Sequence, residues 1–151
     1  MKAAFLLNFA RFVEWPASAH SSETSPIHVG VLGEDPFGET LERTFAGRTA
    51  QGRSLAVLRS GDPKDLASCH IVFIRTTRKD KPAALLEPFR ERPVLTVGEA
   101  EGFARAGGIL NFYLEERKVR FEINPEAAKR AGLKISSKLL QLARLVREET
   151  P

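Results

Sequence analysis

The chain is poor in residues that staple, ligate or span. Its 151 residues include one cysteine, Cys69, so no internal disulfide can form. Such thiol poverty is usual in the cytosol and is also found in periplasmic proteins. Cys69 stands beside His70 where an apolar strand begins. Adjacent side chains on a strand point to opposite faces, so the two make a poor nucleophile–base pair, and a buried, inert thiol is expected. The three histidines, His20, His28 and His70, lie far apart, with no partner at ligand spacing, and no metal site is expected. No apolar run approaches the ~20 residues of a membrane-spanning helix, so no direct membrane insertion is expected. Nucleophile-elbow and nucleotide-binding motifs are also missing. Gly30, Gly33 and Gly38 follow a strand but fit neither glycine fingerprint, and Glu34 and Asp35 would repel a phosphate there. No cofactor is expected.

What the chain does contain is ordinary for a globular domain: 42% hydrophobic and 28% charged residues. Its length suggests one domain over residues 1–151. The net charge of +4 comes from 23 basic and 19 acidic residues with interleaved signs. The ten phenylalanines fall mostly at core positions rather than among basic residues, so nucleic acid is not an expected partner.

The N-terminus imitates a secretory signal. Lys2, the apolar A-A-F-L-L and Ala17-Ser18-Ala19 have the right order. Asn8, Arg11 and Glu14 interrupt the apolar part, while Phe5, Phe9, Phe12 and Val13 recur at helical spacing. An amphipathic helix ending at Trp15-Pro16 is expected, with residues 1–15 in the fold and any export signal upstream.

Six strands are expected: 27–32, 55–58, 70–74, 94–97, 109–114 and 119–123. Helical segments at 40–45, 82–90 and 99–105 alternate with them, and Asp62-Pro63 starts a single turn. This alternation predicts an α/β fold, a three-layer sandwich with a mostly parallel sheet and helices on both faces. Glu115-Glu116-Arg117-Lys118 reads as the turn of a C-terminal antiparallel hairpin forming the sheet edge.

The run from Val119 to Val146 is the best punctuated. Val119, Phe121 and Ile123 alternate with Arg120, Glu122 and Asn124, as on a half-buried strand. Asn124 and Pro125 suit a helix start, and Gly132 suits its left-handed end. Ser136 or Ser137 can cap a second helix, in which Leu139, Leu140, Leu142, Ala143, Leu145 and Val146 form a core-facing stripe. Capping accounts for the serines, and Glu115 and Glu116 belong to a turn. No catalytic residue is assigned and no enzyme is expected. Across the hairpin, Asn111 shares a face with Arg120, Glu122 and Asn124. That polar face either lines a pocket or interface, or meets water.

Several segments carry a family resemblance. They are residues 2–16 (K-A-A-F-L-L-N-F-A-R-F-V-E-W-P), V-L-G-E-D-P-F-G (31–38), G-R-S-L (52–55), C-H-I-V-F-I (69–74), P-V-L-T-V-G (93–98), G-G-I-L-N-F (107–112) and the closing run 120–144. In this order they resemble the YfiR-like domain family over nearly the whole chain. The resemblance implies a non-enzymatic periplasmic regulator, a repressor that binds the periplasmic domain of an inner-membrane diguanylate cyclase and restrains cyclic-di-GMP synthesis. It also implies possible sequestration by an outer-membrane lipoprotein, and homodimers. A sensor kinase is an alternative partner, and a small-ligand sensor an alternative role. The family's repressor has cysteine pairs that this chain lacks, which puts redox control in doubt. The expected contact residues are Asn111, Arg120, Glu122, Asn124, Arg130 and Lys134.

Overall fold

A computed structural model describes residues 2–75 and 82–147. Helix α1 (Lys2–Phe12) leads into a short strand β1 (Val13–Glu14). Then follow β2 (Ile27–Gly33), α2 (Thr40–Phe45), β3 (Leu55–Ser60), β4 (Ile71–Arg75), α3 (Pro82–Leu86) and β5 (Leu95–Gly98). The C-terminal part comprises β6 (Leu110–Glu115), β7 (Lys118–Ile123), α4 (Pro125–Arg130), β8 (Lys134–Ile135), α5 (Ser137–Leu142) and β9 (Arg144–Leu145). Seven strands form one sheet in the order β3-β2-β4-β5-β6-β7-β9, and β1 pairs with β8 in a two-stranded ribbon. Within the seven-stranded sheet every pairing is parallel except the β6–β7 hairpin, and the β1–β8 ribbon is antiparallel.

The strands are apolar on both sides because both faces are covered, as a parallel sheet requires. On one face, Ile71 and Phe73 of β4 join Leu6, Phe9, Leu41, Phe112 and Phe121 in the larger core, beneath α1 and α2. On the other, Val72 and Ile74 pack with Leu66, Leu86, Phe89 and Phe103. This is the expected three-layer α/β sandwich. Among the described residues no helix is long and apolar enough to cross a membrane.

Three local expectations hold because their causes are local. Asn124 caps α4 by accepting from the Ala127 amide, Ser136 caps α5 by accepting from Lys138, and Gly132 takes a positive φ of 76°. The single turn at Pro63–Leu66 is capped by Asp62.

Five expectations are corrected. The helix drawn through Val146 stops at Leu142, because Arg144 and Leu145 pair with Glu122 and Ile123 instead. The hairpin is therefore not the sheet edge; β9 lies beyond it, parallel to β7. The leucine stripe splits accordingly: Leu139 is buried, but Leu142 and Leu145 are 73% and 59% exposed. The expected helix over 99–105 is a chain of turns, with Gly102 and Gly107 at positive φ. The first helix also ends earlier than Trp15, and Phe12 is exposed.

Candidate functional site

The turn chain between β5 and β6 shapes the site. Phe103 drops from it into the lower core and sits against two glycines, Gly98 and Gly108. A Cβ built on either would lie 2.6 or 2.2 Å from its ring, so only glycine allows this approach. The Thr96 hydroxyl accepts from the Ile109 amide at 3.0 Å. Asn124 locks the other side: its side-chain NH2 donates to the Ala104 carbonyl at 2.8 Å, and its amide donates to Ile109. The wall opposite is the β6–β7 hairpin, whose tip residues Glu116 and Arg117 both adopt positive φ.

Between turn chain and hairpin lies a pocket of about 470 Å³, beyond the C-terminal end of β5. Such crevices at strand ends are where open α/β sheets place ligands. Its charged lining is balanced: Lys2, Arg105 and Arg144 against Glu99, Glu101 and Glu122. Glu99 bridges Lys2 and Arg75, the latter at 2.8 Å, and so ties α1 to the end of β4. Asn111 and Glu122 face each other in register across the hairpin. The Asn111 NH2 donates to Glu122 Oε1 at 3.1 Å and to the Ala100 carbonyl at 3.0 Å. The other Glu122 oxygen accepts from the Arg144 guanidinium, which lies 4.2 Å over the Tyr113 ring. The Glu122 carboxylate holds Arg144 above its ordinary pKa. Asn111 Oδ1 is buried and has no partner among the described residues. A buried acceptor left unpaired costs free energy that an incoming N–H or O–H would recover.

The sequence-predicted site residues divide in two. Asn111, Glu122 and Asn124 are 2%, 6% and 0% exposed. The first two line the pocket, and the third braces its wall. Arg120, Arg130 and Lys134 are exposed. Arg120 stands opposite Tyr113 on the pocket face of the hairpin, while Arg130 ends α4 and Lys134 begins β8. Sequence reasoning missed Lys2, Glu99, Tyr113 and Arg144. Only Arg144 carried a usable cue, because it lies inside the run that was already singled out.

A second polar cluster lies at the opposite, N-terminal end of the parallel strands. There the fold gathers all three histidines. The His20 ring stacks on His70 at 4.8 Å and the His28 ring at 5.9 Å, with the Trp15 indole edge-on at 5.8 Å. Both His70 ring nitrogens are engaged with backbone. Cys69 beside it is buried, and burial pushes its thiol up to about 11, as an inert cysteine would show.

Two solved structures share the fold. A conserved domain protein from Vibrio cholerae O1 biovar El Tor is 14% identical, with a TM-score of 0.56 over 79% of this chain and 54% of that one. The ABC domain from Streptococcus pneumoniae in complex with L-Trp is 13% identical, with a TM-score of 0.51 over 79% of this chain and 55% of that one. The chain thus spans about half the length of either structure. At the level of sequence, the model of the YfiR/HmsC-like family matches residues 1–144, and the chain belongs to that family.

Proposed function

We propose that this chain is a non-enzymatic periplasmic regulator that represses a membrane-bound signalling protein, such as a diguanylate cyclase, by direct contact. Family membership over residues 1–144 supports the class. The observation that carries the contact reading is the segment after α5. Leu142 and Leu145 flank the start of β9 and are both exposed, beside the half-exposed Arg144. Two exposed leucines beside an open strand edge offer a partner apolar surface to cover. Among the described residues β9 has one strand neighbour, β7, so a partner can pair with its other edge. Arg120, Arg130 and Lys134 add positive charge for steering toward an acidic receptor surface.

The test is capture of purified periplasmic domains of diguanylate cyclases and sensor kinases from the same genome. Wild type should retain at least one, and the double variant Leu142→Asp/Leu145→Asp should lose it at least tenfold. Equal retention by both proteins would refute this surface, and no retention of any receptor by the wild type would refute the role.

A second reading, a small-ligand sensor, is favoured by one specific observation: the unpaired Asn111 Oδ1 in a charge-balanced pocket. Balanced charges beside an aromatic suit a small zwitterion carrying an N–H donor. A thermal-shift screen of amino acids would raise Tm for a binder, and Asn111→Ala should abolish the rise. A flat screen would leave the contact role standing alone.

A further inference from the structure

The segment from Pro16 to Pro26 connects the N-terminal elements to β2; Ala19 packs against the core, and polar ties hold the segment to the strand ends. His70 supplies one. Its Nδ1 lies 3.0 Å from the His28 amide nitrogen, and its Nε2 2.8 Å from the Ala19 carbonyl. A backbone amide can only donate, so Nδ1 is an acceptor and carries no proton. The proton sits on Nε2 and is donated to Ala19. His70 is therefore held neutral, in one tautomer, by backbone on both sides. Arg53 supplies another tie, donating to the Ser22 and Ser25 carbonyls at 2.8 Å each. The Trp15 indole N–H donates to the His70 carbonyl at 2.9 Å.

The titratable and charged groups that face His70 are all basic: His20 from the segment itself, His28 from β2 and Arg53 from the approach to β3. Among the described residues no carboxylate acts on it. A proton arriving at Nδ1 would point N–H at N–H and add a cation to a cluster with nothing to neutralise it.

We propose that residues 16–26 form an acid-released strap, unseated when His70 is protonated on Nδ1, while the rest of the sheet stays folded. Release uncovers the N-terminal ends of β2 and β4 around Ile27 and His70, both now buried. The sign follows from burial, which lowers His70 from 6.5 to about 4. Once released, the imidazole regains its ordinary value. The seated form is therefore fully favoured above about pH 6.5 and loses up to about tenfold per pH unit below it. The strap is independent of the regulatory role proposed above and uses the other end of the sheet.

Trp15 gives a built-in reporter, because it is the only tryptophan and its ring meets His70 edge-on. An imidazolium quenches a neighbouring indole, whereas a neutral imidazole does so weakly. The experiment follows Trp15 emission and amide-exchange protection factors between about pH 8 and about pH 5. It uses wild type, His70→Phe and His20→Gln. Protection of residues 17–25 should fall about tenfold or more by about pH 5.5, with β4 to β6 unchanged. His70→Phe should remove most of this pH dependence, leaving the part due to His20, which burial also lowers, whatever its basal protection. His20→Gln takes away one like charge and should move the release to lower pH. Constant strap protection in wild type would overturn the proposal. So would an identical pH dependence in His70→Phe, or loss of β4–β6 protection in step with the strap. Should His70→Phe fail to fold, the wild-type profile and the His20→Gln shift decide the matter.

Discussion

The two ends of the sheet solve the same problem in opposite ways. Each must keep polar side chains out of water. At the C-terminal end, charge is met by charge: Glu122 by Arg144, and Glu99 by Lys2 and Arg75. At the N-terminal end, charge is avoided: His70 stays neutral between two backbone groups, with only basic neighbours. Paired ions tolerate a change of pH across the neutral range but depend on each partner being present. A neutral imidazole needs no ionic partner but depends on pH. The first arrangement suits a site that must persist; the second suits a contact that can be withdrawn.

The difference can be broken most forcefully at Phe103. Phe103→Ala removes the ring that fills the space beside Gly98 and Gly108, and it should cost about 3–5 kcal/mol in denaturant unfolding. Trp15 emission in the folded variant should match wild type, because only the pocket end is touched. Next comes acid. His70 is low at about 4 with the strap seated and near 6.5 once it is released. Seating of the strap is complete above about pH 6.5 and should weaken by up to about 3 kcal/mol as pH drops toward about 4, read from amide protection of residues 17–25, while urea unfolding of the sheet changes less. Glu122→Gln is a smaller cut. It keeps the shape, weakens the tie to Arg144 and should cost about 1–2 kcal/mol, by an amount that does not vary between about pH 6 and 8. Parallel pH curves for wild type and this variant would confirm that the two ends act separately; converging curves would show them coupled. Smallest of all, Leu142→Asp should leave stability within about 0.5 kcal/mol while weakening receptor capture.

What could be read from the sequence was what neighbours in sequence decide. The caps at Asn124 and Ser136, the left-handed Gly132 and the hairpin tip at Glu116 and Arg117 each depend on a few consecutive residues. The pocket face was legible in part, because period two places Asn111 and Glu122 on one side once the hairpin is drawn. Their burial was not legible. It depends on the turn chain around Phe103 and on Arg144, which reaches Glu122 only because β9 joins the sheet. The leucine-rich tail reads as helix by pattern, yet ladder hydrogen bonds to β7 outweigh that local preference. The histidines show the same limit. Sequence separates His28 from His70, and the parallel pairing of β2 with β4 brings them together.

One feature of the pocket reaches further than its chemistry. Lys2 belongs to the first helix, and Arg144 to the last strand. Its walls are thus taken from both ends of the family-matched region, and neither wall exists until its segment has docked. A molecule or partner that recognises the complete pocket would bind only chains whose first and last elements are both seated. Partly folded or clipped chains would be invisible to it. Recognition at this site would then double as a check that the whole domain has been assembled.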